Sequence, residues 1–114
     1  MRQGDVFWLR FGGEGPEPLG RRPAVIVQDD RFNLSAIQTT IVCAITTNLR
    51  LADAPGNLRL RKGEANLPQA SVVNVTQIRT IDRSRITLRL GTLGPQRLDE
   101  LRRGLALVIG IRTV

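Results

Sequence analysis

Short apolar runs alternate with turn-forming segments along most of this 114-residue chain. The runs are rich in Val, Ile and Thr, which favour extended strands, and Gly, Pro, Asn and Asp lie between them. They occupy residues 5–11, 23–28, 39–47, 57–60, 71–81 and 87–93. The intervening segments are expected to be turns and loops, at 12–20, 29–36, 48–57 and 61–70. Several short strands joined in this way predict a small closed or half-closed β-barrel.

The longest run, 71–81, is predicted to be a strand with one buried and one wet face. Successive side chains of a strand point to opposite sides. The odd positions from Val73 to Gln77 therefore share one face, and the even positions from Val72 to Thr76 share the other.

The end of the chain has a helical period instead. Apolar residues recur there every three or four positions, at Leu98, Leu101, Leu105 and Val108. Pro95 suits the first helical position, whereas Gly104 weakens a helix interior by about 1 kcal/mol relative to alanine. The pattern predicts a helix over 95–111 that packs on the barrel through one apolar face. A shorter helical turn, capped by Asp82, is expected at 82–86.

Composition narrows the class of protein. A length of 114 residues and 41% hydrophobic content predict a single domain, 1–114, without disulfides. The lone Cys43 is expected to be a buried thiol. The chain begins without a signal-like segment and has no run long enough to span a bilayer, so a cytoplasmic protein with no membrane contact is expected.

The charge balance is basic. Seventeen Lys and Arg face ten Asp and Glu, for a net charge of +7, and arginine supplies nearly all the cations. Arginine binds phosphates and carboxylates through a forked pair of donors, which favours a nucleic acid or an acidic protein as partner. A GC-rich genome, which places arginine wherever lysine is possible, would give the same count.

Several kinds of catalysis are excluded. Histidine is absent, which removes Ser-His-Asp and Cys-His catalysis and most transition-metal sites. The carboxylates do not cluster: Asp29 and Asp30 are adjacent, and Asp82 lies far from the pair at 99 and 100. No metal or other cofactor is therefore predicted.

Metal-free cleavage of RNA is still possible with the residues that are present. RNA carries its own nucleophile, the 2′-hydroxyl, so an enzyme needs only to align it and stabilise charge on the phosphate. Arg22 lies at the entrance of one predicted strand, and Thr46, Thr47 and Asn48 lie at the exit of the next. Pro23 disfavours a helical conformation for the residue before it, which holds Arg22 extended.

Four segments together resemble the MazF/PemK family, the mRNA interferase toxins of toxin–antitoxin modules. They are, in chain order, RQGDVFWLRF, GRRPAVIVQDDRFN, AITTN and SVVNVTQIRTID. These segments span most of the chain, from Met1 to about Asp82, and the terminal helix fits as well. The resemblance implies an SH3-like barrel, mainly β with a C-terminal α-helix, of the fold shared with the gyrase poison CcdB.

The resemblance also implies an activity and a site. Family members form homodimers and cut single-stranded RNA without metal, leaving a 2′,3′-cyclic phosphate and a 5′-hydroxyl. The family's arginine and threonine fall on Arg22 and Thr46, as phosphate clamp and partner hydroxyl. A recurring loop glutamate falls on Glu17, a candidate base for which a solvated loop carboxylate is the alternative. The chain departs from other members at Pro16, Asn74 and Thr76, which fits the MazF branch. It also departs at Pro18, where members often have glutamine, and this bears on local RNA contacts and the shape of the loop.

Further RNA contacts are predicted around this pair. Candidates share a polar side chain on a strand or at its end: Arg21, Thr47, Asn48, Thr76, Gln77 and Arg79. Trp8 is expected to pack in the core or in a dimer rather than against a base.

The resemblance further implies a cognate antitoxin with an acidic segment that folds on binding. DNA would be reached only through that antitoxin. Two other functions stay open. A gyrase poison of CcdB type would need a Trp-Gly-Ile terminus, but this chain ends in GIRTV. A non-catalytic nucleic-acid-binding barrel would also fit the basic charge.

Overall fold

A computed structural model describes residues 1–11 and 20–112 of the protein. Six strands form one antiparallel sheet with the order β4-β5-β3-β2-β1-β6. The strands are β1 Asp5–Phe11, β2 Gly20–Ile26, β3 Thr39–Thr46, β4 Leu58–Leu60, β5 Ser71–Asp82 and β6 Ile86–Thr92. The helices are α1 Asp30–Asn33 and α2 Pro95–Ile109, with 3₁₀ turns at Leu49–Asp53, Glu64–Asn66 and Arg83–Arg85.

The strand and helix predictions are confirmed, with local differences. β2 begins three residues earlier than predicted, so Arg22 lies inside the strand rather than at its entrance. The segments expected to be loops at 29–36 and 61–70 contain α1 and a 3₁₀ turn. The capped turn is as predicted: the Ser84 amide donates to the Asp82 side chain at 2.8 Å. The two hydrogen bonds from Ser84 lower the pKa of Asp82, because they stabilise the carboxylate.

The sheet is curled into a half-barrel whose two edge strands are linked by the 3₁₀ turn Glu64–Asn66. This turn follows β4 and packs against β6, where the Asn66 amide donates to the Leu90 carbonyl at 2.8 Å. Gly91 permits the contact, since a Cβ there would lie 2.7 Å from the Ala65 carbonyl oxygen. The half-closed alternative for the barrel is therefore the correct one.

The main core lies between the sheet and α2. Its buried members include Val6, Val25, Cys43, Leu60, Val73 and Leu101. Cys43 is fully buried, as expected, and burial raises the pKa of its thiol to about 12. A second, smaller cluster contains Leu9, Ala24, Ile26, Val42 and Ile81.

The expectation of one dry and one wet face on the long strand is wrong for its first half. Every residue from Ser71 to Val75 is buried, including Val72 and Asn74. α2 and the 3₁₀ turn Leu49–Asp53 both pack against β5, so little of this half meets water. Asn74 is satisfied locally, because its side-chain oxygen accepts from the Thr76 hydroxyl at 2.8 Å.

α2 packs through Leu101, which is fully buried, and through Leu98 and Leu105. Val108 is 38% exposed, so the predicted apolar face ends before it. Gly104 is more than a weak point in the helix: a Cβ there would overlap the carbonyl oxygen of Gly56. Glycine lets the helix approach that turn. Among the described residues no helix is both long and apolar enough to cross a bilayer.

Candidate active site

The end of the β2–β3 ladder creates the candidate site. β2 pairs with β1 along its whole length, but its pairing with β3 begins only at Ala24, opposite Ala44. Pro23 is the residue just before this point, where a missing N–H leaves no ladder position empty. Arg21 and Arg22 therefore lie on a part of β2 that has one neighbouring strand in the described part of the chain.

Arg22 and Thr46 come together at this opening. Continued by two residues, the register of Ala24 with Ala44 would set Arg22 opposite Thr46. Both residues line one pocket of about 210 Å³, together with Arg21 and Thr47. The structure thus brings four of the sequence-predicted site residues to the same concave surface.

The side chains of this pair are available to a ligand. Arg22 is exposed and has no hydrogen-bond or ion-pair partner among the described residues. The Thr46 hydroxyl oxygen accepts from the Asn48 amide at 3.2 Å, which orients the hydroxyl and leaves its proton free to be donated. No carboxylate from the described ranges lines the pocket. A guanidinium and a hydroxyl with these surroundings fit one phosphate group.

Trp8 lines the same pocket. It is half-buried, belongs to neither core cluster, and pairs in the β1–β2 register with Pro23. The Arg21 guanidinium lies over its ring, 5.6 Å from the centroid, in a cation–π contact. The core alternative for Trp8 is therefore wrong, and packing in a dimer stays a prediction. The strand pattern could not place Trp8, because both faces of β1 are largely covered.

The remaining wall of the pocket was not predicted from the sequence. It is formed by Leu67, Pro68, Gln69 and Ser71, on the connection between β4 and β5. Leu67 is buried in the main core, which anchors this connection, and the Ser71 hydroxyl donates to the Gln69 carbonyl at 2.9 Å. Nothing local in 61–70 signals this placement, since it depends on contacts with β6 across the molecule.

Four predicted RNA contacts lie outside the pocket. Thr76 and Gln77 are exposed where the β3–β5 pairing breaks, between Cys43↔Ile78 and Ile45↔Val73. Arg79 is half-buried on β5 opposite Val42. Asn48 follows Thr47 and caps the next 3₁₀ turn, accepting from the Arg50 amide at 3.3 Å. Contact of these residues with RNA stays a prediction.

Glu17 lies outside the described residues. The described carboxylates other than Asp53 are engaged elsewhere, in caps, hydrogen bonds and ion pairs. The pKa of Asp29 is lowered by hydrogen bonds from Arg31, and that of Asp30 by the Gln3 amide above all. Within 1–11 and 20–112, no three His, Cys, Asp or Glu side chains lie close enough to hold a metal ion.

Comparison with known proteins gives the class that this fold and pocket define. The sequence profile of the PemK-like, MazF-like toxins of type II toxin–antitoxin systems matches residues 2–109. Endoribonuclease MazF6 of Mycobacterium tuberculosis is 36% identical over 112 residues, covering 97% of this chain and 98% of the relative. Endoribonuclease MazF of Staphylococcus saprophyticus is 33% identical, covering 100% and 95%. The chain belongs to the PemK/MazF toxin family, and the resemblance noted above is confirmed.

Solved structures share the fold. An endoribonuclease in complex with its cognate antitoxin, from a mycobacterial species, has a TM-score of 0.82 at 19% identity, covering 100% of this chain and 99% of that chain. MazF of Deinococcus radiodurans has a TM-score of 0.76 at 27% identity, covering 97% of each chain.

Proposed function

We propose that this protein is an endoribonuclease toxin that cuts single-stranded RNA without a metal ion. The observation that carries the proposal is the pocket at the end of the β2–β3 ladder, which contains both Arg22 and Thr46. A guanidinium that has no partner within 1–11 and 20–112, beside a free hydroxyl proton, is suited to a phosphodiester anion. Relatives that span nearly the whole chain carry the name endoribonuclease.

The proposed reaction is an internal transfer within the RNA. The 2′-oxygen attacks phosphorus, the bond from phosphorus to the 5′-oxygen breaks, and the products are a 2′,3′-cyclic phosphate and a 5′-hydroxyl. Arg22 clamps the phosphate and donates a proton to the leaving oxygen, while Thr46 donates to a non-bridging oxygen. To act as the base, Arg22 would have to be neutral before the attack, which is costly, so another group must take the 2′ proton. The departing 5′-alkoxide is a stronger base than a guanidine, so it can take a proton from Arg22, and the protonated base or water then returns one. Glu17 is the candidate for that base.

Partners follow from the same proposal. An acidic antitoxin segment that folds onto this basic surface would neutralise the toxin, and the net charge of +7 favours such a partner. The active form is proposed to be a cytoplasmic homodimer, which would have twice the 12.6 kDa mass of the chain in sedimentation.

The test is cleavage of a long single-stranded RNA by purified protein in EDTA, with the 5′ ends of the fragments mapped. Cuts at short defined sequences that leave 5′-hydroxyl ends are expected. A 2′-deoxy substitution at the cut nucleotide should block cleavage of an oligonucleotide that carries one such site. Cleavage of the substituted strand would overturn the mechanism, and salt-dependent binding with no cleavage would favour the non-catalytic barrel.

A further inference from the structure

Part of the pocket is poorly suited to a phosphate. Five of its lining residues are apolar: Trp8, Pro23, Ile45, Leu67 and Pro68. A phosphate anion gains nothing from an indole and two prolines. A nucleobase is stabilised by such groups, because its flat faces stack on aromatic and other flat apolar surfaces. The apolar wall therefore fits a different part of the same RNA.

Trp8 supplies the stacking surface. Its ring is half-buried and lies outside both core clusters, so its packing does not account for its position in the pocket. Arg21 is held over the ring at 5.6 Å. A guanidinium plane and an indole together are the surfaces on which unpaired bases stack.

Gln69 supplies a group that can read a base edge. Its side chain is exposed and has no hydrogen-bond partner among the described residues. Its backbone is fixed, since its carbonyl accepts from the Ser71 hydroxyl at 2.9 Å and Ser71 is buried at the start of β5. A primary amide offers both donors and an acceptor, which is the pattern that a base edge presents in return.

The size of the pocket is sufficient for a nucleobase. Its volume of about 210 Å³ has room for a planar heterocycle. Since Arg22 and Thr46 line the same pocket, the base held there must belong to a nucleotide next to the clamped phosphate.

We propose that this pocket binds one of the two nucleobases that flank the cleaved linkage, stacked on Trp8 and selected at its edge by Gln69. The proposal rests on the RNA-cleaving function above and adds the determinant of its sequence preference. Gln69 acts as a specificity residue and takes no part in the bond-breaking step. Its loss should change which sequences are cut more than how fast the best one is cut.

The fluorescence of Trp8 tests the stacking directly. The chain contains one tryptophan and no tyrosine, so its fluorescence reports on Trp8 alone. Wild-type protein is titrated with a mapped cleavage sequence made uncleavable by a 2′-deoxy substitution, and with copies in which each position in turn is abasic. Binding is followed independently by anisotropy of a dye on the oligonucleotide.

The expected result is quenching of Trp8 by the intact strand. Removing one base next to the cut site should abolish the quenching and weaken binding roughly 5- to 150-fold, the range for loss of one base–aromatic stack. Abasic sites farther away should leave the quenching in place. Saturated binding with unchanged Trp8 fluorescence, or equal quenching by all abasic strands, would overturn the proposal.

Variants test the edge selection. Gln69→Glu keeps the shape of the side chain but removes both donors, and it should change the preferred base at one position beside the cut. Gln96→Glu adds the same charge at an exposed position of α2 and is the matched control, with the wild-type preference expected. An unchanged preference in Gln69→Glu would overturn the reading of the edge by Gln69.

The two proposals fail in different ways. If the wild-type protein cuts RNA and its Gln69 and Trp8 results are negative, only the base pocket is wrong. If the wild-type protein neither cuts nor binds RNA, the proposed function is wrong and the base pocket falls with it. Trp8→Phe is expected to retain most of the affinity and Trp8→Leu to lose it, which separates stacking from simple filling of space.

Discussion

Arg97 and Arg22 place the same side chain in two opposite settings. The Arg97 guanidinium, on α2, contacts Glu64 at 2.8 Å and Glu100 at 3.2 Å, and its side chain is only 26% exposed. Arg22 is exposed, has a second cation at Arg21 beside it, and has no carboxylate partner among the described residues. Charge at Arg97 is neutralised by the fold, whereas charge at Arg22 meets no anion among the described residues.

The surroundings of the two arginines differ in the same way. Around α2 the contacts are close and complete: the helix meets the Gly56 turn through Gly104, and Glu64 joins the helix to the turn that bridges the sheet edges. At the end of β2 a ladder stops short and a pocket opens. Substitutions near α2 should therefore change stability, and substitutions at the pocket should change activity.

The largest effect is expected for Arg22→Ala. Loss of one preorganised donor to a developing charge costs about 10²–10³-fold in rate, so RNA cleavage should fall by about that factor with the melting temperature nearly unchanged. Arg22→Lys keeps the charge without the fork and should recover only part of the rate. The measurement is initial cleavage rate on one mapped oligonucleotide, with thermal unfolding of each variant.

Arg97→Ala is the control for Arg22→Ala, with the opposite result expected. It should lower the free energy of unfolding by about 1–3 kcal/mol, since Glu64 loses its charged partner, and leave the cleavage rate per folded molecule unchanged. The contrast between the two arginines fails if Arg97→Ala lowers the rate as much as Arg22→Ala, or if Arg22→Ala unfolds the protein.

Gly104→Ala is next in size and tests the packing at α2. Alanine improves an isolated helix, but here its Cβ would meet the Gly56 carbonyl oxygen, a backbone atom that cannot rotate away. Forcing the helix from the turn should cost about 1–3 kcal/mol, measured by urea unfolding. Gly94→Ala has nothing within 4 Å of the added Cβ and should cost about 0.5 kcal/mol. A stabilised Gly104→Ala would contradict the close contact.

Much of this fold could be predicted from local pattern. β3 and β5 are rich in β-branched residues, β1 combines aromatic and aliphatic residues, and α2 has a clear helical period. Gly104 shows where the pattern fails: a helical glycine looks unfavourable until the contact with Gly56, 48 positions earlier in the sequence, is known. Contacts of this kind are invisible to any short window of sequence.

Some residues of the candidate site could likewise be predicted from local sequence, and others could not. Arg22 and Thr46 could be predicted because each lies within a family motif, Arg22 just before Pro23 inside β2 and Thr46 at the end of β3. Gln69 and its neighbours could not, because the connection that carries them is shaped by Asn66, which adopts a positive φ of 58° and bonds to β6. That bond joins the two edges of the sheet, and no local propensity specifies it.

The smallest expected effect is a change in the free energy of unfolding at low pH. The pKa of Glu64 is lowered from its usual 4.5, first by the hydrogen bond from Arg97, so folding favours the carboxylate. The pair stabilises the fold at pH above 4.5, and this contribution is lost as the pH falls through the lowered pKa. Glu64→Gln should be about 1 kcal/mol less stable than wild type at pH 7, with the difference shrinking as the pH falls below 4.5, measured by urea unfolding.

The matched control is Asp99→Asn, which removes an exposed helical pair with Arg103 and should cost only about 0.3–0.5 kcal/mol. A Glu64→Gln variant that keeps the same difference from wild type at pH 3 as at pH 7 would show that the charge of Glu64 contributes nothing. The ion pair of Arg97 with Glu64 would then contribute nothing to stability, and such a pair could no longer be used to distinguish a structural arginine from a ligand-binding one.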